Sequence, residues 1–158
     1  MHQIEIEYKG NLRTESVHLK SGQKLITDAP VDNKGKGEAF SPTDLTASAL
    51  GSCMLTIIGI TAERRDIDIS GVRAEIEKVM GTNPRRITRI IINIYFQIKP
   101  TKYEQQLFKK SALSCPVHRI CILILKYGLN FITINNTIIV IIVHEFKKPI
   151  LLGWAFIV

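Results

Sequence analysis

The sequence contains no block of five or six like charges, no uninterrupted apolar run of membrane-spanning length, and few cysteines. Its net charge of +7 comes from Lys+Arg 21 against Asp+Glu 14. The paired cations Arg64-Arg65, Arg85-Arg86, Lys109-Lys110 and Lys147-Lys148 stand apart from one another. Scattered charge of this kind describes a solvated basic surface and argues against a concentrated nucleic-acid footprint. The apolar run nearest to the roughly 18 residues of a bilayer span is Tyr127–Val143, and Asn130, Asn135 and Asn136 interrupt it; no membrane span is expected. Met1–Glu5 shows neither a charged n-region nor an apolar core, so no secretory signal is expected. Three cysteines, an odd number, do not make a disulfide framework. A reducing, cytoplasmic setting follows, with cysteines free, metal-bound or redox-active.

What is present is one domain's worth of chain: 158 residues, 46% hydrophobic and 22% charged, with no internal repeat and no linker. Residues Gln3–Tyr8 alternate as a half-buried strand, Lys9-Gly10-Asn11 turns, and Thr14–Leu19 and Lys24–Thr27 return as second and third strands. Asp28–Ala39 is loop, punctuated by Pro30, Asn33, Gly35 and Gly37. Ser41-Pro42-Thr43-Asp44 opens a helix with an N-cap serine, proline at the first helical position and an acid closing a capping box. That helix can run to about Arg65. Its small residues Ala47, Ser48, Ala49, Gly51 and Ser52, and its apolar second half, predict burial on several sides. Val72–Val79 alternates as a strand with one polar face, and Ile87–Ile98 reads as a longer strand. Thr101 and Glu104 form a second capping box, opening a helix that should stop before Pro116. Strands and helices do not alternate as βαβ units, so the class is α+β.

Two cysteines carry the candidate chemistry. Cys53 lies on the small-residue face of the long helix, where a buried cysteine ordinarily behaves as an inert small hydrophobe. Cys115 precedes a proline at a helix end, with His118 three positions on. The C-x-x-H spacing is half a zinc site whose second ligand pair is missing, which leaves a metal-binding module as one reading.

Phe40-Ser41-Pro42-Thr43-Asp44-Leu45 leading into Ala49-Leu50-Gly51-Ser52-Cys53, and later Cys115-Pro116-Val117-His118-Arg119, resemble the OsmC/Ohr family of peroxide-reducing proteins. The resemblance covers residues 1–119 in order and spacing. It implies an OsmC-like α+β fold: an N-terminal three-stranded antiparallel sheet, a long buried central helix, two further strands and a second helix. It also implies an intertwined homodimer that brings two thiols together at its interface. The implied reaction is peroxide reduction without a bound cofactor or metal. Cys53, as thiolate, attacks an organic hydroperoxide; its sulfenic acid condenses with Cys115; a dithiol or lipoylated-protein reductant restores both thiols. Such a nucleophile calls for a nearby cation, and the family supplies an arginine from the N-terminal hairpin, matched here by Arg13. Hydroperoxide-specific members carry a Glu directly after the helix-starting proline, bridging to that arginine. Here the position is Thr43, with Asp44 next, and Glu38 in the preceding loop is another candidate partner for Arg13. The departure bears on substrate class more than on thiol chemistry. A non-catalytic member, binding a small apolar or electrophilic ligand with its thiols merely buried, is the other alternative.

The resemblance stops at Arg119. Residues 120–158 form an atypical hydrophobic tail with 11 Ile among 39 residues. The codons of Cys121–Thr133, read one base earlier, can spell Leu-His-Pro-Asp-Leu-Glu-Val-Arg-Ile-Lys-Phe-His-Tyr, a family-type C-terminus. A frameshift near Arg119–Ile120 is the reading adopted, and poor packing of the tail is expected from it. A genuine C-terminal strand pair is the alternative.

Overall fold

The structure is a computed structural model, and it describes residues 2–97, 99–125, 127–134 and 137–144, with side chains through Cys121 and at Ile138. Strands β1 (Ile4–Gly10), β2 (Arg13–His18) and β3 (Lys24–Asp28) form one antiparallel sheet in the order β1-β2-β3. Gly10 pairs with Arg13 across a two-residue turn, in which Asn11 and Leu12 both have positive φ. That geometry matches the right-handed twist of a hairpin, and it sets Arg13 at the first position of β2. A 3-10 turn at Val31–Asn33 lies in the loop that follows β3.

Helix α1 spans Pro42–Glu63 and starts as its sequence dictates. Ser41 Oγ accepts from the Asp44 N–H at 3.1 Å, and the Ser41 N–H donates to Asp44 Oδ2 at 2.8 Å. Two of the orphan donors at the helix start are thereby satisfied. The helix buries Ala47, Leu50, Met54, Ile58 and Ala62 against β4 (Arg73–Thr82), β5 (Arg85–Tyr95) and α2 (Lys102–Leu113). Each large side chain among them contributes roughly 1.5–3 kcal/mol by leaving water. Gly51 permits the close approach to β4, since a Cβ there would stand 2.4 Å from Ile76 Cδ1. Phe96 stacks on Phe108 at 5.2 Å, tying the end of β5 to α2. By length and composition α1 would also pass for a membrane span, yet it is the central helix of this core.

Burial on several sides holds for only part of α1. Ala49, Ser52, Thr56 and Ile60 form an exposed stripe, and a Cβ on neighbouring Gly59 would meet nothing within 4 Å. The small residues therefore serve two surfaces. One is covered by β4 within the chain, and the other is left open.

A third helix, α3 (Pro116–Leu125), continues the chain directly after α2. The tail then forms β6 (Tyr127–Ile134) and β7 (Thr137–His144). β7 pairs antiparallel with β5, with Ile138 opposite Ile94, and β6 pairs with β7, giving a four-stranded sheet in the order β4-β5-β7-β6. Ile138 is buried in the core. Where poor packing was expected, the described part of the tail is thus a strand pair in register. The second sheet has four strands where two were expected. Ile98, expected to end a strand, and residues 145–158 lie outside the described residues.

Candidate functional site

The two cysteines meet between helices. The Cys115 thiol, which has no exposed surface, interacts with the thiol of Cys53, half-buried in the middle of α1. All three cysteines are free thiols. Burial, and then the bond to Cys53, pushes the Cys115 thiol up to about 11, against the opposing pull of backbone N–H groups from His118 and Val117. Cys115 is therefore a protonated thiol at neutral pH, poised against a more accessible neighbour. Cys121, on α3, is also raised by burial.

Arg13 is held in the first sheet and its partners are acidic. Its guanidinium pairs with Glu38, and Nη2 donates to Asp28 Oδ2 at 3.4 Å. Asp28 is fully buried, and the Glu38 backbone N–H donates to the same oxygen at 2.9 Å. That backbone bond, with Arg13 behind it, holds the Asp28 carboxyl below the usual carboxylate range, although burial opposes it. Asp28 Oδ1 has no partner among the described residues. Within one chain, then, Glu38 and Asp28 are both acids beside Arg13.

Asp44 has a different partner. Lys78, on the inward face of β4, places Nζ 2.5 Å from Asp44 Oδ1 and donates to Thr43 Oγ1 at 2.8 Å and to Ser41 Oγ at 3.1 Å. Partial burial pulls the Asp44 carboxyl up, but the bonds from Lys78 and Ser41 outweigh it and leave the group below its ordinary value. Lys78 thus joins the start of α1 to β4 and occupies the hydroxyl of Thr43, the position where hydroperoxide-specific members carry Glu. Neither Lys78 nor Asp28 was singled out by sequence. For Lys78 a signal existed, since it follows Val72, Ala74 and Ile76 on the apolar face of an alternating strand. For Asp28 there was none.

Beside this cluster lies a cavity of about 460 Å³, lined by Phe40, Asp44, Ala47, Ser48, Ile76 and Lys78 among others. A larger hollow of about 680 Å³, against His2, Gln3, His18, Leu19 and Lys20, belongs to the first sheet, and neither thiol is among its described lining. Its size does not make it the site, because its described lining holds no thiol. Among the described residues no group of three His, Cys, Asp or Glu side chains could hold a metal ion.

An α+β chain with two thiols in contact at its central helix defines a class of thiol protein. Residues 35–122 match the family of OsmC-like proteins, and the chain belongs to that family. A solved structure from Psychrobacter arcticus 273-4, of a protein named for an osmotic stress induced and detoxification response, is similar at 52% identity. It superposes with a TM-score of 0.74, covering 76% of this chain and 88% of that one. An organic hydroperoxide resistance protein OsmC from Legionella pneumophila shares the fold at 17% identity and TM-score 0.61, over 75% of this chain and 86% of its own. An OsmC-like protein from Mycoplasma pneumoniae does so at 16% identity and TM-score 0.64, over 76% and 86%. No curated protein matches the chain.

Proposed function

We propose that the chain is a thiol peroxidase that reduces organic hydroperoxides to alcohols. The observation that carries this reading is the thiol contact between half-exposed Cys53 and buried Cys115. Cys53, as thiolate, attacks the distal peroxide oxygen. The O–O bond breaks, the alkoxide takes a proton and leaves as the alcohol, and Cys53 is oxidised by two electrons to the sulfenic acid. Cys115 then forms the disulfide with Cys53, and the hydroxyl departs as water. A dithiol reductant, small or protein-borne, returns both thiols by exchange. No bound cofactor takes part.

The working unit in this reading is a homodimer in the cytoplasm. Its support is the apolar surface one chain leaves open: the small-residue stripe of α1 and the β1 side chains Ile4, Ile6 and Tyr8, each more than half exposed. In such a dimer Arg13 of one protomer serves Cys53 of its partner. Glu38 and Asp28 orient the guanidinium, while Asp44 and Thr43 hold the start of α1 through Lys78.

The test is peroxide consumption by the purified chain with cumene hydroperoxide and a dithiol, followed by peptide mapping. A 53–115 disulfide after one equivalent of peroxide, and loss of turnover in Cys53→Ser, are expected. Both thiols untouched after that treatment would refute the peroxidase reading and favour a ligand-binding member.

A further inference from the structure

Cys115 stands between two helices, and a single residue ties both helix ends to it. Its carbonyl accepts the first intrahelical bond of α3, from the Arg119 N–H at 3.1 Å. Its Sγ accepts from the His118 N–H at 3.4 Å. Pro116, at the first helical position, has no N–H to leave unpaired. Cys115 is therefore the N-cap of α3, with sulfur in the place that a serine or aspartate oxygen usually fills. His118 also reaches backwards. Its Nδ1 lies 2.9 Å from the Leu113 carbonyl, and because a carbonyl only accepts, Nδ1 carries the proton. That carbonyl belongs to the last turn of α2, whose acceptors have no partner within the helix. The ring is 1% exposed, and Nε2 has no partner among the described residues. His118 is thus a buried strut: its ring ties the end of α2 to the first turn of α3 and so holds the junction in which Cys115 sits, while the N–H···S bond itself follows from the backbone of α3.

Burial pushes the Cys115 thiol up to about 11 and so opposes its leaving as a thiolate; the His118 N–H, which a thiolate accepts far better than a thiol does, pulls the other way, towards charge on Cys115, and reduces that cost. Access points the same way, because an incoming thiol can reach half-buried Cys53 but not enclosed Cys115. We propose that His118 is a positioning residue that makes Cys115 the thiolate expelled when an external dithiol opens the Cys53–Cys115 disulfide. The proposal rests on the peroxidase reading only in placing that disulfide in a catalytic cycle. One thiolate of the dithiol forms a bond to Cys53 Sγ. The Sγ–Sγ bond breaks, and its electron pair leaves on Cys115, which takes a proton from the second thiol. That second sulfur, now a thiolate, attacks the mixed disulfide and expels Cys53. The dithiol departs as a cyclic disulfide, oxidised by two electrons, and both cysteines are reduced.

The test uses the full chain carrying Cys121→Ser, oxidised with diamide so that no peroxidase activity is needed. Brief exposure to glutathione, acid quench and peptide mapping should place glutathione on Cys53 and leave Cys115 free. Dithiothreitol should open the disulfide about tenfold more slowly in His118→Leu, the size of effect expected when the buried Leu113 carbonyl loses its hydrogen bond. His118→Asn, whose amide can still donate to the Leu113 carbonyl, should restore the rate. Glutathione on Cys115, equal rates in His118→Leu and the parent, no rescue by Asn, or no disulfide after diamide would each overturn the proposal. Regiochemistry is read on the unmutated His118 chain, so a misfolded Leu variant does not shelter the idea. Failure of peroxide turnover alone would count against the peroxidase reading and leave this one standing.

Discussion

Alkaline unfolding of the chain should be driven in measurable part by Cys115. Its thiol has an ordinary value of 9.0 and is pushed up to about 11 in the fold, first by burial and then by the bond to Cys53. Between those values the folded chain keeps the proton and the unfolded chain sheds it, so stability falls as pH rises. At about pH 8 the difference in ionisation is worth almost nothing, whereas at about pH 10.5 it reaches about 2 kcal/mol. With a urea dependence of roughly 1–3 kcal/mol per molar, that loss lowers the midpoint by about 1 M. Lysines and tyrosines titrate over the same range, so the measurement is comparative: urea unfolding of the parent and of Cys115→Ala at both pH values. The cavity left by alanine costs the same at each pH and cancels in the difference. The parent should lose about 2 kcal/mol more than the variant between about pH 8 and about pH 10.5. Equal losses would show that Cys115 does not stay protonated in the fold, and with that the picture of a buried, neutral Cys115 thiol would fail.

Lys78→Met should lower stability by about 1 kcal/mol near neutral pH, a surface-discounted value because Asp44 is substantially exposed. The Asp44 carboxyl is held below its ordinary value, so its contribution is complete above about pH 4 and is lost as pH falls through the folded value; thermal melts of parent and variant should converge in acid. A gap independent of pH would remove the ion pair from the account. Resequencing the gene across the Arg119 codon should restore the Leu-His-Pro type continuation; an unchanged reading would make β6 and β7 native elements of this chain.

The local chemistry of the helix starts was legible in the sequence, because a capping box is closed by residues three apart. Ser41 with Asp44, and Thr101 with Glu104, satisfy their own backbone donors whatever the rest of the molecule does. The alternation of Val72, Ala74, Ile76 and Lys78 likewise fixed which face of β4 turns inward. At the level of sequence, Cys53 and Cys115 are paired by the resemblance of their two motifs to those of the family. The partners of the charged residues were not legible. Lys78 reaches Asp44 across 34 positions, and Arg13 reaches Asp28 and Glu38 across 15 and 25. Nothing in the local spacing of either residue specifies such a partner, because only the packing of α1 on β4 and the register of β2 on β3 brings these charges together. The open stripe on α1 has the same origin, since small residues allow close approach without saying to what. Helix α3 had a local signal, cysteine before proline, but sulfur is an uncommon cap and the pattern reads first as the end of α2. The place of β7 beside β5 belongs wholly to tertiary structure. An apolar run such as Thr137–Val143 has no polar face to set its register, and the exposed edge of β5 decides where it pairs.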